Sequence, residues 1–488
     1  MQERYGERYR WLLLLSVMIG TMASIMSSTI INVAIPDMSH HFVLGQDRAQ
    51  WVTSGFMAAM TVSMLTTPWA LARFGYRRTY VVTMLLLMAG GIVGGFANSF
   101  SLVLLGRVAE GLAAGVVQPI PAIIIMRAFA PNEQGRASGL FGMGVVLAPA
   151  IGPSIGGVLV DFFGWRSIFF MVVPFCVLSL WMAYKYVPTT SPGGVSANTD
   201  SAVLDWRGLL LVAVGTLCLL NGMVELHGSN RLQALGLLAS AALVFVAFVW
   251  WQRRQTSQSG TPLVDLALFT YRPFAMGSVV AFIYGTALFG STYLLPVYLQ
   301  LGLNLSASHV GSILLPAGFI LAFTIAGVGR LADRQPTWLL LSIGLACLTA
   351  SFGLMGTLTL TSSLWALVAL SVLGRIGLGF ILPSLNLGSL RPLPAVLLSQ
   401  GSSAIGFVRT LGGAIGVSLC GIVLEWRLTA HGDSLSTALS SPARLAAFNE
   451  SFFMLASLCA LALLAARQLR EPLSATTTIP AVKSAKKP

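Results

Sequence analysis

Residues 104–115 read LLGRVAEGLAAG, and residues 372–380 read VLGRIGLGF. Both place a Leu-Gly-Arg triplet inside a long apolar run. One apolar run earlier, each is preceded by a short basic loop, PWALARFGYRR (68–78) and GRLADRQ (329–335). The order of loop, span and Leu-Gly-Arg span therefore occurs twice, eight runs apart. A six-span unit present in two copies, with two helices inserted between them, accounts for that offset. Repeated bundles around a central site are the usual build of secondary transporters, which rock one half against the other.

Composition supports a membrane setting. Of 488 residues, 56% are hydrophobic and 9% charged, with a mean hydropathy of +0.81; a soluble domain carries about 25% charged residues. A bilayer core takes about 20 apolar residues per helix. Fourteen runs qualify, near 11–35, 51–71, 79–97, 101–126, 137–160, 165–186 and 206–226, then 233–251, 272–297, 308–329, 337–357, 361–384, 400–424 and 446–468. The first run is too long for a signal-peptide core and no small-residue cleavage site follows it. An even span count puts both termini on one side. That side then holds 21 of the 29 Lys and Arg, the other side 5, and the spans 3. Basic residues favour the cytoplasm, so both termini are expected there, in a bacterial inner membrane.

The expected organisation is a six-helix bundle over 1–186, a linker over 187–205, an inserted hairpin over 206–251, a second bundle over 252–470 and a tail over 471–488, expected to be disordered. The fold class is all-α. The five cysteines fall inside spans without metal or redox spacing, so disulfides and metal sites are not expected. The histidines are scattered near outer loops.

These residues resemble the major facilitator superfamily, and within it the fourteen-span drug:proton antiporters of the EmrB/QacA type. The likeness runs from TIINVAIP (29–36) to RTLGGAIGVSL (409–419), through PLVDLALF (262–269) and YLLPVYLQ (293–300). It implies two six-helix bundles plus two inserted helices, alternating access and a transmembrane proton gradient as energy source, with no cofactor. In that family an aspartate usually precedes T-x-x-N-x-A-x-P in span one; here its slot is Ser27. The first loop motif departs too, with Ala72 where relatives carry an acid, leaving Arg73, Arg77 and Arg78. The second copy keeps the acid-then-base order in Asp333 and Arg334, after Gly329, and is similar to the family's gating loop. A carboxylate beside arginines suits a bistable latch, whereas arginines alone suit either gating or topology anchoring.

APAIGPSIGG (148–157) resembles the family's antiporter motif. Pro149 and Pro153 remove backbone donors and bend the helix. Gly152, Gly156 and Gly157 admit a neighbouring helix closely; generic small-residue packing is the other reading. Four ionisable residues lie deep: Arg107, Glu110, Arg375 and Arg409. Each needs a partner or an aqueous cavity. Arg107 and Glu110, three apart, can pair on one helix face. The resemblance links Arg107 to proton coupling, and Glu110 facing a cavity open to either side would supply the proton-binding group; a permanent structural pair is the alternative. Glu225 and Glu450 are expected near the membrane surface.

Ser27, Ser28, Asn32, Met22, Met26, Gln118, Tyr284, Tyr293, Asn386 and Arg409 are the expected lining of a substrate cavity. Methionines at 18, 22 and 26 and at 57, 60 and 64 share helix faces, which suits core packing or an adaptable apolar cavity. Three deep arginines against one glutamate favour neutral or anionic amphiphiles over multivalent cations. The four lysines (185, 483, 486, 487) follow no Gly-rich loop, which excludes a Walker A site, and no HExxH or G-x-S-x-G occurs. The chain is not expected to be an enzyme or a nucleic-acid binder. A secondary exporter of hydrophobic or amphipathic compounds is expected. Lipid or fatty-acid transport without protons, and a non-transporting receptor or scaffold, are the alternatives. A periplasmic adaptor and outer-membrane channel would be partners in a double-membraned bacterium.

Overall fold

The computed structural model describes residues 6, 8–43, 46–190, 203–226, 231–257, 260–305, 307–359, 362–433 and 441–469. Fifteen α-helices run through them. The first seven are α1 (Arg8–Phe42), α2 (Gln46–Met64), α3 (Thr67–Gly95), α4 (Phe100–Val117), α5 (Ile120–Ala128), α6 (Gln134–Phe163) and α7 (Ser167–Tyr186). A hairpin follows, α8 (Trp206–Glu225) and α9 (Arg231–Ser257). The last six are α10 (Arg272–Val297), α11 (Ala307–Leu331), α12 (Thr337–Met355), α13 (Leu364–Leu390), α14 (Leu398–Ala430) and α15 (Pro442–Arg467). Most of the expected linker (191–202), the tail 471–488 with its three lysines, and His227 lie outside the described residues.

Local chemistry sets several helix starts. Ser99, Asp205 and Ser441 accept backbone N–H groups at the first turns of α4, α8 and α15, and proline opens α3, α10 and α15. The expected span over 101–126 divides at Gln118 and Pro119 into α4 and α5, because Pro119 has no N–H to continue the ladder.

Among the described residues, 12 helical segments are long and apolar enough to cross a membrane. That is two fewer than the fourteen expected. The runs near 51–71 and 137–160 do form helices, α2 and α6, but neither is among the twelve. Gln46, Asp47, Arg48 and Gln50 make the start of α2 polar, whereas the middle of α6 (150–151 and 153–154) has side chains outside the described residues.

The sequence repeat reappears as a repeat of packing. In the first set α1 lies on α6 and α7, α2 on α4, and α3 on α4 and α7; in the second α10 lies on α14 and α15, α11 on α13, and α12 on α13 and α15. Every pair has its counterpart. The contacts between sets are unequal, however. α6 packs extensively on α11, while the equivalent pair, α14 and α2, touches over a shorter stretch. The hairpin leans on both sets through α8, which contacts α2 and α14. Its base is tied by Asp205, whose carboxylate accepts from Trp251 Nε1 (2.9 Å) and Gln252 Nε2 (2.8 Å).

Candidate functional site

The deep charges of the first helix set converge on Arg107. Arg107 Nη1 donates to Glu110 Oε2 at 2.5 Å, to Ser27 Oγ at 2.8 Å and to the Ser27 carbonyl at 3.2 Å. Its Nε donates to the Val52 carbonyl at 3.2 Å, and the guanidinium sits 4.2 Å from the Phe56 ring centroid. One α4 side chain thereby binds α1 and α2 together. Charge-assisted bonds and a cation–π contact offset part of its desolvation. Glycine makes the room: a Cβ on Gly90 of α3 would come within 2.7 Å of Glu110 Cγ. Glu110 Oε1 and Arg107 Nη2 have no hydrogen-bond partner among the described residues. Each side chain is only 1% exposed. The expectation that Glu110 faces a cavity is corrected. α3 and the Phe169 turn of α7 close over it, so in this conformation it reaches neither side.

The second set treats its arginines differently. Arg375 of α13 and Arg409 of α14 are half-buried. Among the described residues neither has a hydrogen-bond or ion-pair partner; the electrostatic neighbour of both is the buried Tyr284 phenol of α10. In the repeat, Leu378 occupies the position of Glu110, three residues beyond the Leu-Gly-Arg arginine, and Leu378 is buried in the apolar core. An arginine at a helix centre costs about 2.5–3.5 kcal/mol on insertion scales. Among the described residues no carboxylate offsets that cost here.

A third cluster joins the two sets where the start of α6 meets the segments after α11 and α13. Asp333, just beyond α11, accepts the backbone N–H groups of Gly135 (2.6 Å) and Arg136 (2.8 Å) at the start of α6, where the helix dipole favours an anion. Its basic neighbour is Arg391 at 3.7 Å, whereas Arg334 is exposed. Arg391 also donates to Gln134 Oε1 (3.1 Å) and the Pro131 carbonyl (2.8 Å). Burial, helped by nearby Glu133, raises Asp333 above the usual carboxylate range, against the lowering effect of the two N–H groups and Arg391. Below it Gly139 and Gly329 touch backbone to backbone; a Cβ on Gly329 would lie 2.4 Å from Gly139 Cα. Arg127 to the Ala395 carbonyl (2.9 Å) and Ser402 to the Pro119 carbonyl (3.0 Å) complete the seam. Sequence reasoning missed Arg391, Gln134, Arg127 and Ser402, all of which lie outside the quoted motifs.

Arg77 Nε donates to the Val187 carbonyl at 2.7 Å, within its own set, and Arg73 and Arg78 are exposed. In the antiporter-like motif, a Cβ on Gly156 would lie 2.5 Å from Ile30 and one on Gly152 3.4 Å from Thr29, so this segment seats α1; Gly157 is open. Pro149 is half-buried, and the Pro153 side chain lies outside the described residues.

The remaining expected lining is dispersed. Ser27 belongs to the ion pair, while Ser28 bonds its own helix at the Ile25 carbonyl (2.7 Å). Asn32 is exposed and accepts from Thr53 at 3.1 Å. Met22 lies against Gly144 of α6, and Met26 is buried. Gln118 points its amide at the Met60 sulfur, 3.3 Å away. Tyr293 is 36% exposed and Asn386 half-buried. Glu450, expected near the membrane surface, forms a partly exposed bidentate pair with Arg427 beside His431.

Comparison with known proteins identifies the framework. The family model described as Major Facilitator Superfamily matches residues 17–417. This chain belongs to the Major Facilitator Superfamily. It is a membrane transporter, not an enzyme. The uncharacterized MFS-type transporter YhcA of Bacillus subtilis is 28% identical over 443 residues, covering 90% of this chain and 81% of that one. A multidrug resistance protein B homolog of Mycobacterium tuberculosis is 28% identical over 451 residues, again 90% and 81%. Among solved structures, the human organic anion transporter MFSD10 superposes with a TM-score of 0.64 over 94% of this chain and 99% of that chain. At 14% identity that likeness establishes the fold alone.

Proposed function

We propose that this superfamily member is a secondary exporter of hydrophobic or amphipathic compounds, coupled to proton entry and working by alternating access. The observation that carries the reading is Glu110, a fully buried carboxylate whose arginine is tied to two other helices. A proton on Glu110 removes the charge that holds Arg107 on α4. The guanidinium then keeps only Ser27, Val52 and Phe56, and α4 is free to shift against α1 and α2. A buried pair converts one protonation event into a helix movement in this way, because breaking it is costly. The seam of Asp333, Arg391 and the α6 start serves as the gate. Closed here, it corresponds to a state with the substrate path open on the opposite face, and breaking it admits substrate from the terminus side.

The finer topology is part of the proposal. α2 is joined to α1 and α3 by turns too short for a long detour, and its 19 residues span about 28 Å at 1.5 Å each. With 30 residues, α6 is longer still. Both cross the membrane in this reading, giving fourteen spans, with the basic terminus side cytoplasmic. The bundles comprise residues 1–186 and 252–470, with the hairpin 206–251 inserted between them.

The test is efflux of a lipophilic dye from vesicles containing purified protein, with and without an imposed pH gradient. Gradient-driven efflux is expected in the wild type and its loss in Glu110→Gln. Efflux that ignores the gradient in the wild type refutes coupling; unchanged gradient dependence in Glu110→Gln removes Glu110 from it.

A further inference from the structure

We propose that Arg375, Arg409 and the Tyr284 hydroxyl bind the anionic head group of the exported compound, which makes the substrates amphiphilic organic anions bearing a carboxylate or phosphate. The inference rests on the exporter reading and names the substrate class for it.

Three observations converge. First, the three residues stand at the same depth. Tyr284 lies at the middle of α10 and Arg375 near the middle of α13, while Arg409 is three turns into the long α14. Secondary transporters place substrate at this level, between their repeats. Second, Arg409 faces the opposite helix set. Ser402, Gly406 and Arg409 fall four and three residues apart, on one face of α14. Ser402 bonds the Pro119 carbonyl, and a Cβ on Gly406 would lie 2.6 Å from the Met64 sulfur. Arg409 is thus the next residue of that face beyond the closed seam, and it is half-buried where its neighbours below are buried. Gly285, next to Tyr284, packs directly on the Arg409 carbonyl, which fixes α10 against α14 here.

Third, the charges of this level are unbalanced. Among the described residues no carboxylate acts on either guanidinium; the Tyr284 phenol is the electrostatic neighbour of both. The equivalent arginine of the first set has its glutamate, whereas here Leu378 fills that place. Two guanidiniums within electrostatic reach of one phenol suit a carboxylate or phosphate, which accepts several charge-assisted bonds at once. A cationic substrate is repelled by both guanidiniums. The same helices carry the partly buried Phe407 and Val408 on α14 and Leu382 on α13, apolar surface for the tail.

The experiment measures binding of dodecanoate, dodecyl phosphate, dodecanamide and dodecylammonium to the purified protein in neutral detergent, with efflux from phosphatidylcholine vesicles in parallel. Both anions are expected to bind at least about tenfold more tightly than the amide and the ammonium, as one charged hydrogen bond implies. Arg375→Gln and Arg409→Gln are expected to abolish that preference while amide binding persists, which also reports that the variants are folded. Arg409→Lys retains the charge and is expected to retain the preference. Ammonium binding as tight as carboxylate in the wild type overturns the assignment. So does an intact preference in either glutamine variant, or its loss in a folded Arg409→Lys. Competition by added phosphatidylglycerol marks a lipid head group as the ligand, and its absence marks a soluble anion. Preferential binding without efflux of any probe refutes the exporter reading and leaves the anion site standing.

Discussion

Arg107 and Arg375 hold the same place in the two copies of the repeat, each in a Leu-Gly-Arg triplet on the corresponding helix, yet their surroundings are opposite. Arg107 is sealed, with Glu110 at 2.5 Å, Ser27 and Val52 as acceptors and Phe56 beneath it. Arg375 is half-buried beside a phenol, with leucine where the carboxylate would be. A single exchange, Glu110 against Leu378, turns one arginine into part of the protein's internal wiring and leaves the other free for a visitor. The repeat supplies the architecture, and the departures from it divide the labour. In the proposed reading, protons act in the first set and substrate head groups in the second.

The largest expected effect comes from removing the counter-charge. Glu110→Gln leaves Arg107 buried and uncompensated and is expected to cost about 3–5 kcal/mol of stability. Arg375→Gln removes a charge that lacks a counter-charge, so thermal melting of the purified protein should show no loss. Equal destabilisation by the two variants contradicts the contrast between the sites.

A smaller effect, and a stricter one, is expected from moving the carboxylate. Ser27 Oγ, on α1, lies 2.8 Å from Arg107 Nη1, the same nitrogen that Glu110 holds. The double variant Ser27→Asp, Glu110→Gln is expected to recover most of the stability lost in Glu110→Gln alone, by pairing Arg107 from α1. A double variant no more stable than the single one shows that Glu110 holds more than its charge in place.

The smallest effect concerns the seam. Burial raises the Asp333 carboxyl in the closed state, so that state binds a proton more tightly than one in which Asp333 is solvated. The closed population therefore rises as pH falls through the raised value, and declines above it. Spin labels at exposed Asn132 and Gln335 report the distance across the seam, and Asp333→Asn should remove the pH response. A closed fraction that grows with rising pH reverses the sign and refutes the assignment.

How much of this was readable beforehand follows from sequence distance. The repeat was legible because glycine and arginine inside apolar runs are rare enough to mark it. The Arg107–Glu110 pair was legible because i,i+3 spacing guarantees adjacency on a helix. Ser27 was noticed only as the slot of a missing acid. That its hydroxyl binds Arg107, 80 residues away, depends on how α1 packs on α4. Arg391 was invisible for the same reason: its partners Gln134 and Pro131 are 257 and 260 residues distant, and it sits past a helix end in an ordinary turn. Glu110 was expected at a cavity because depth can be counted along a helix, whereas the glycines of α3 that close over it cannot be placed from sequence alone. The count of fourteen spans rests on apolar length, and the polar start of α2 falls on the margin of that measure.

Calorimetric titration of dodecanoate into the wild type, Glu110→Gln and Arg409→Gln at one low temperature tests the division of labour most directly. Binding is expected to survive in Glu110→Gln with an affinity close to wild type, and to weaken about tenfold or more in Arg409→Gln. Loss of binding in Glu110→Gln with full affinity in Arg409→Gln would place the substrate's charge in the first set and contradict it.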